Sequence, residues 1–267
     1  MPNVLQVGPL ALPTLLLFIL IAVSAAAFVG RRFGRQVGID VEPILFQALI
    51  IGVVVARLAF VWQYSTTYQA SPLGVLDIRD GGWRPLAGFV TAWLFVLARQ
   101  FKKPLFRKPL LAAISVGTMI WGGGIISLSL PNDEQKLPTL ALVNLQGSTV
   151  NLAQFEGKPT VINLWATWCP PCVREMPVLH EAQAANPAVN FVFINQGESA
   201  QRVGPWLAAR NLLLSNVLLD AQGQIPRVFN QRGLPTTLFF NAKGQLINTR
   251  TGELSAASLT EKLESIK

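Results

Sequence analysis

The chain has 267 residues, of which 51% are hydrophobic and 13% are charged. The charged fraction is about half that of an average soluble protein, which excludes one ordinary soluble domain as the organisation of the whole chain. The net charge of +8 is uneven, because residues 1–130 carry 11 basic and 4 acidic side chains, whereas residues 131–267 carry 11 and 10. The basic excess lies between apolar segments, so it indicates membrane topology and not a nucleic-acid partner.

Four apolar segments occupy the first half, at residues 10–29, 44–64, 85–98 and 109–130. A membrane span needs about 20 residues, and only the third segment is clearly shorter. If the third segment also spans, the basic clusters around residues 31–35 and 99–108 lie on the same side, as the positive-inside rule requires. We therefore expect residues 1–130 to form an all-α anchor of four spans, with the amino terminus and everything after residue 130 outside the cytoplasm.

A cleaved signal peptide is the alternative for the first segment. The segment has no positively charged residues before it, its apolar run is long, and Arg31 and Arg32 follow it as a stop signal would. We therefore expect it to be retained as a span.

Arg57 is the one charged side chain well inside a predicted span. It could bind an anionic lipid head group, or pair with Asp77 or Asp80 in the following loop. Alternatively, its long side chain could extend to the membrane interface. The sequence leaves these interpretations open.

Three short motifs in this half resemble the first part of prolipoprotein diacylglyceryl transferases: Gly8-Pro9-Leu10, residues 52–58 (GVVVARL) and residues 80–83 (DGGW). Where that family has His-Gly-Gly, this chain has Arg84-Pro85-Leu86, and residues 1–130 contain no histidine. Because thioether formation needs a base for the thiol, we expect a remnant scaffold and no lipid transfer.

The second half begins after a polar, proline-bracketed linker at residues 131–138, which leaves residues 139–267 as a separate domain. Strand and helix patterns alternate there, enough for one α/β core. The patterns predict a hairpin at 140–152, strands at 160–166, 189–195, 236–241 and 245–251, and helices at 170–185, 200–211 and 256–266. The second of these helices is expected to kink or restart at Gly204-Pro205.

The only cysteines of the chain are Cys169 and Cys172, and His180 is its only histidine. A CxxC loop is too short to hold a fold together as a static disulfide. A zinc site of Cys and His ligands is also unsupported, so we expect no metal and no other cofactor. We expect His180 to be structural, since it lies more than two helical turns beyond Cys172.

The motif Cys169-Pro170-Pro171-Cys172 lies where a predicted buried strand meets a predicted helix. The helix amino terminus favours the thiolate form of Cys169, whereas Cys172 lies nearly one turn further in and is more shielded. Cys169 should therefore attack and Cys172 should resolve the mixed disulfide. The two prolines fit the first helical turn, where their missing N–H groups would be unpaired.

Residues 163–177 (NLWATWCPPCVREMP) resemble the TlpA/ResA family of membrane-anchored thioredoxin-like proteins, and residues 233–237 (GLPTT) resemble the cis-proline loop of that family. The resemblance covers residues 138–267. It implies a thioredoxin-like domain with a central mixed sheet flanked by helices. It also implies a thiol-disulfide oxidoreductase on the periplasmic side of a bacterial cytoplasmic (inner) membrane.

The resemblance further implies roles for residues around the dithiol. Pro235 would be the cis-proline packed against it, and the backbone at Leu234 would pair with an extended substrate. Glu175 would be a buried acid that tunes the thiols and moves protons for Cys172. The alternative for Glu175 is a solvated helix residue near Arg174.

Trp168 is expected to shield the sulfur of Cys169 and, with Pro170 and Pro171, to contact the substrate. Ordinary core packing is the alternative for Trp168.

The leading hypothesis is a protein-disulfide reductase acting on extracytoplasmic proteins, for example on apocytochrome or copper-site cysteines. Residues 1–130 contain no cysteine, so a separate transmembrane or soluble electron donor is implied. The same site could instead serve an oxidase or isomerase, because direction depends on the redox potential. A third hypothesis is a lipid transferase or lipid-binding module with an accessory redox domain, and membrane lipid is an expected partner in either case.

Overall fold

A computed structural model describes residues 4–7, 10–69, 72–102, 104–129, 135–231 and 233–267. The chain forms two units: unit 1 comprises Met1–Ser65 and Gly82–Asn132, and unit 2 comprises Thr66–Gly81 and Asp133–Lys267. The first four residues of the predicted linker, 131–134, lie outside the described residues.

Helices dominate unit 1. A short hairpin of β1 (Val4–Val7) and β2 (Leu10–Pro13) precedes α1 (Thr14–Gln36) and α2 (Glu42–Gln63). A short α3 (Ser65–Gln69) follows, and α4 (Pro85–Lys102) and α5 (Arg107–Ser129) complete the set. The first apolar segment therefore begins as a strand and not as a helix, since a proline disfavours helical backbone in the residue before it.

Among the described residues, three helical stretches are long and apolar enough to cross a membrane: Leu16–Gln36, Glu42–Gln63 and Pro104–Ser127. The stretch Pro85–Phe101 is apolar but shorter. Each of the four predicted segments thus contains a helix, and four spans stay a prediction.

Small residues form the contact between α2 and α4. A Cβ placed on Gly52 would lie 3.0 Å from the carbonyl oxygen of Gly88, and one placed on Gly88 would collide with Gly52 and Ala56. The two backbones therefore approach closely only because both positions lack a side chain.

Arg57 is buried in unit 1, with 7% of its surface exposed. Its Nη1 donates to the carbonyl oxygen of Gly82 at 2.8 Å, and its guanidinium carbon lies 6.0 Å from the Phe60 ring centre and 5.9 Å from that of Trp83. Groups of unit 1 therefore hold this guanidinium, and a role in lipid binding stays a prediction.

Unit 2 contains a mixed sheet of seven strands in the order β4-β3-β7-β6-β5-β8-β9. The strands are β3 (Ala141–Asn144), β4 (Thr149–Asn151), β5 (Thr160–Trp165), β6 (Asn190–Gln196), β7 (Val217–Asp220), β8 (Thr236–Phe240) and β9 (Leu246–Thr251). β5 is parallel to β6 and antiparallel to β8. The helices are α6 (Pro170–Ala185), α7 (Ala200–Ala208), α8 (Gln224–Val228) and α9 (Ala256–Glu264). The predicted mixed sheet with flanking helices is confirmed.

Two apolar cores cover the two faces of this sheet. Alternate residues of β5 point to opposite sides: Val161 and Trp165 belong to one core, and Ile162 and Leu164 belong to the other. The first core also contains both cysteines. The redox motif therefore sits on a rigid, close-packed face.

In residues 139–267 the sequence missed the strand β7 and the short helix α8. It also predicted a kink or restart at Gly204-Pro205, whereas α7 continues through Pro205 as one helix and ends at Ala208. The restart was a wrong prediction, and the helix is shorter than expected.

Candidate active site

The two cysteines lie where β5 ends and α6 begins. Cys169 is the N-cap residue of α6, with extended backbone, and its Sγ accepts a hydrogen bond from the N–H of Cys172 at 3.3 Å. The two sulfurs form a disulfide, with the Cα atoms 5.3 Å apart. Pro170 and Pro171 occupy the first helical turn and so add no unpaired N–H groups.

Both cysteines are buried, but the residues beside Cys169 are exposed. Cys172 is fully buried and Cys169 is 3% exposed, whereas the neighbouring Trp168 is 64% exposed. Pro170 is exposed and Pro171 is half-buried. Trp168 and Pro170 are therefore the solvent-exposed residues next to the disulfide. Trp168 is not a core residue, so the packing alternative for this side chain is wrong.

Pro235 lies directly before β8, and its peptide bond with Leu234 is cis. Pro235 is buried, and its carbonyl oxygen accepts a hydrogen bond from the N–H of Gly252 at 2.9 Å. Leu234 is half-buried and packs against the core that contains the cysteines. The proline loop therefore adjoins the same core as the dithiol.

Glu175 is fully buried on α6, so the solvated alternative is wrong. Its Oε1 accepts from the Asn163 side chain at 2.8 Å, and its Oε2 accepts from the N–H of Leu254 at 3.0 Å. Burial raises the pKa of Glu175 to about 7, and it outweighs the two hydrogen bonds, which lower the pKa. The protonated and ionised forms of this carboxyl are therefore both populated near neutral pH.

Asn163 is a site residue that the sequence analysis did not single out. Its amide donates to Glu175 and, at 3.0 Å, to the hydroxyl oxygen of Thr237, the second residue after Pro235. The sequence holds a signal for it, because a polar residue between Ile162 and Leu164 in a buried strand needs a hydrogen-bond partner.

Glu198 was also missed. Its carboxylate accepts from both the N–H and the hydroxyl of Thr167, two residues before Cys169, and from the side chains of Asn195 and Arg202. Burial raises the pKa of Glu198, but these hydrogen bonds together lower it below its ordinary value. Glu198 thus stays ionised and fixes the loop that leads into the CPPC motif.

The turn between β9 and α9, residues 252–255, contacts several parts of the site. Gly252 donates to Pro235, and Leu254 donates to Glu175. Glu253 forms an exposed ion pair with Arg174, whose Nη2 lies 2.6 Å from its Oε2. This 252–255 turn therefore joins the proline loop to the first turns of α6.

No group of three or more His, Cys, Asp or Glu side chains in the described part of the chain is placed to hold a metal ion. His180 is half-buried on α6. The chemistry available at the site is that of a dithiol and a neighbouring carboxyl.

Two family models match the chain. The Redoxin model matches residues 132–263, and the prolipoprotein diacylglyceryl transferase model matches residues 2–125. The second match and the three long apolar helices identify a membrane protein.

Relatives with described roles match about half of the chain or more. Thiol-disulfide oxidoreductase ResA of Geobacillus kaustophilus is 33% identical over 132 residues, which are 49% of this chain and 75% of that protein. ResA of Halalkalibacterium halodurans is 28% identical over 170 residues, 62% of this chain and 96% of that protein. Among solved structures, a secreted Mycobacterium tuberculosis disulfide oxidoreductase homologous to E. coli DsbE is 31% identical, with a TM-score of 0.43, covering 47% of this chain and 95% of that chain.

The ResA relatives and the Redoxin model confirm the expected thiol-disulfide oxidoreductase activity. This chain belongs to the ResA family of thiol-disulfide oxidoreductases, with a membrane half related to prolipoprotein diacylglyceryl transferase.

Proposed function

We propose that this protein reduces disulfide bonds of extracytoplasmic proteins, with Cys169 as the attacking and Cys172 as the resolving thiol. The observation that carries the proposal is the buried Glu175, three residues after Cys172 on α6 and therefore its neighbour on the helix surface. A fully buried thiol needs a nearby base to become a nucleophile, and a carboxyl with a pKa of about 7 supplies one.

In the first step, the Cys169 thiolate attacks one sulfur of the substrate disulfide. The substrate S–S bond breaks, a mixed disulfide forms, and the other substrate sulfur leaves as a thiolate that takes a proton from solvent. The position of Cys169 as the helix N-cap favours its thiolate form, because unpaired N–H groups and the helix dipole stabilise negative charge there.

In the second step, the Glu175 carboxylate takes the proton from the Cys172 thiol. The Cys172 thiolate attacks the sulfur of Cys169, which forms the intramolecular disulfide and releases the second substrate thiolate. Two electrons have then passed from the dithiol to the substrate, and the protein is left in the disulfide form.

Trp168, Pro170, Pro171 and Leu234 are proposed to contact the substrate. The exposure of Trp168 and Pro170 beside a nearly buried sulfur supports this assignment. An extended substrate segment would pair with the backbone at Leu234, next to Pro235.

The membrane half is proposed to anchor the redox domain by four spans, with residues 139–267 on the outer side of a bacterial cytoplasmic membrane. The absence of cysteine from residues 1–130 means that this half cannot relay electrons as thiols. A separate donor would therefore re-reduce the protein, and apocytochrome or copper-site cysteines are proposed as substrates.

The match of residues 2–125 to the transferase model favours lipid binding as a second candidate role for the membrane half. Transfer itself is not proposed, because this half has no histidine. Incubation of the full chain with labelled phosphatidylglycerol and a lipoprotein-signal peptide should yield no lipidated peptide.

A trapping experiment tests the proposed roles of the two cysteines. Full-length Cys172→Ser, reduced in detergent and mixed with a disulfide-bonded protein, should accumulate a mixed disulfide, because its resolving thiol is missing. Cys169→Ser is the matched control and should trap far less. Equal trapping by both variants, or by Cys169→Ser alone, would contradict the assignment.

A further inference from the structure

The segment 66–81 follows α2 in sequence but belongs to unit 2. It contains most of α3 and two 3-10 turns, Pro72–Leu76 and Ile78–Asp80. Its carboxyl-terminal end lies against β9 and the 252–255 turn, through Gly81 and Asp80. The sequence alone gave no indication of this placement.

Asp80 is the buried polar group of this segment, with 4% of its surface exposed. Its Oδ2 accepts hydrogen bonds from the Tyr68 hydroxyl at 2.9 Å and from the Ser255 hydroxyl at 3.1 Å. Ser255 is the N-cap of α9 and directly follows Leu254, whose N–H binds Glu175. One residue of the 252–255 turn thus contacts Asp80, and its neighbour contacts the acid of the redox site.

A second contact involves Arg250 on β9. The Arg250 guanidinium fills the space that a side chain on Gly81 would occupy, and Gly81 has a φ of +70°, which favours glycine. Arg250 interacts electrostatically with both Asp80 and Glu175, which raises its pKa, although burial has the larger effect and lowers it. A guanidinium stays protonated in proteins, so the positive charge of Arg250 acts on both carboxyl groups.

Asp77, in the same segment, also acts electrostatically on an arginine. Its charge raises the pKa of Arg174, the residue before Glu175 on α6. Two carboxylates of one short segment thus act on two arginines of the redox domain, Asp77 on Arg174 and Asp80 on Arg250.

We propose that Asp80 is a positioning residue of the redox site, which acts on Glu175 through Arg250 and the 252–255 turn. This inference rests on the proposed function, in which Glu175 exchanges the proton of Cys172. It assigns a role in the thiol chemistry to a segment outside the ResA-like region.

The charged groups that face Glu175 determine the direction in which its pKa should shift in each variant. Arg250 on β9 favours the carboxylate, Glu253 in the turn opposes it, and the polar contacts come from Asn163 on β5 and the N–H of Leu254. Asp80 partly neutralises Arg250, so removing its charge strengthens the attraction of Arg250 for the Glu175 carboxylate. Asp80→Asn should lower the pKa of Glu175, whereas Arg250→Gln should raise it.

The test is a pH titration of the oxidised full chain in detergent, labelled with ¹³C at the glutamate carboxyls and followed by NMR. The Glu175 signal is identified by its absence in Glu175→Gln. We expect Asp80→Asn to lower its midpoint by roughly half a unit, less than the one to three units of a direct charge partner, because Asp80 acts through Arg250. Glu181→Gln removes an exposed carboxylate of the same helix and should leave the midpoint unchanged.

An unchanged or raised midpoint in Asp80→Asn would overturn the inference. Opposite shifts in Asp80→Asn and Arg250→Gln would support it, whereas equal shifts in one direction would indicate general loosening and contradict it. If Arg250→Gln does not fold, the comparison of Asp80→Asn with Glu181→Gln decides alone.

The pH profile of disulfide exchange separates this inference from the proposed function. If Glu175→Gln keeps the wild-type profile, the proposed role of Glu175 fails whatever Asp80 does. If Glu175→Gln changes the profile and Asp80→Asn does not, only the inference about Asp80 fails.

Discussion

At the scale of single residues, the proposed thiol chemistry depends on the carboxyl of Glu175. An ionised carboxylate is costly to bury, and two hydrogen bonds do not offset that cost, so the folded protein favours the protonated form up to about pH 7. A proton that binds the folded state more tightly than the unfolded state makes stability depend on pH.

The first prediction concerns this dependence. Because the pKa of Glu175 rises from 4.5 to about 7 on folding, its contribution to stability is fully present below pH 4.5 and is lost as the pH rises to 7. The loss amounts to about 3 kcal/mol. Thermal unfolding of the oxidised full chain in detergent at pH 5 and pH 7.5 should show a smaller difference in Glu175→Gln than in wild type.

The comparison uses the change between the two pH values, since glutamine alters the hydrogen bonds of Asn163 and Leu254 at every pH. Glu181→Gln should keep the wild-type change. Parallel behaviour of wild type and Glu175→Gln would contradict the raised pKa.

Sequence patterns predicted some residues of the redox site and missed others. Cys169 and Cys172 stand out because they are the only cysteines, and Glu175 stands out through the family resemblance. Glu198 does not stand out, because its hydrogen bonds join it to Thr167, which lies 31 residues earlier in the sequence. No local pattern reports such a contact.

At the scale of elements, the long or fully buried segments of unit 2 were predictable. Helix α6 has the predicted bounds, and β5 and β8 begin at the predicted residues. β7 has only four residues, too few to show a period, and it exists because β6 and β3 pair with its two edges. The formation of β7 therefore depends on its pairing with neighbouring strands and not on its own sequence pattern.

The second prediction tests the contact between α2 and α4. Gly88→Ala should destabilise the full chain by about 2 kcal/mol, because the new methyl group collides with the backbone at Gly52. Gly123→Ala in α5 is the matched control, since a Cβ there has open space around it. Thermal unfolding in detergent, followed by tryptophan fluorescence, measures both. Equal effects of the two substitutions would show that the helices do not depend on this close approach.

At the scale of the whole molecule, amino-acid composition distinguished an apolar, basic first half from a second half with nearly equal numbers of basic and acidic residues. It could not assign the segment 66–81, because that segment joins unit 2 through contacts far along the chain. Asp80 binds Ser255, 175 residues away in sequence, and Gly81 lies against Arg250 on β9. Domain boundaries drawn from composition miss such long-range contacts.

The third prediction concerns membrane sidedness. In spheroplasts of cells that express the full chain, a membrane-impermeant maleimide should label Cys169 after mild reduction and without lysis. The double variant Cys169→Ser, Cys172→Ser gives the background. Labelling that requires lysis of the spheroplasts would place the redox domain in the cytoplasm.

The direction of electron flow is the central claim, and the redox potential of the Cys169–Cys172 couple tests it most directly. The full chain in detergent is equilibrated with glutathione or dithiothreitol buffers, and the reduced fraction is read by thiol alkylation. We expect a potential near or below that of thioredoxin, about −270 mV, as a reductase supplied by a dedicated donor requires. A potential near −120 mV, as in strongly oxidising proteins, would contradict the account and make the protein an oxidase.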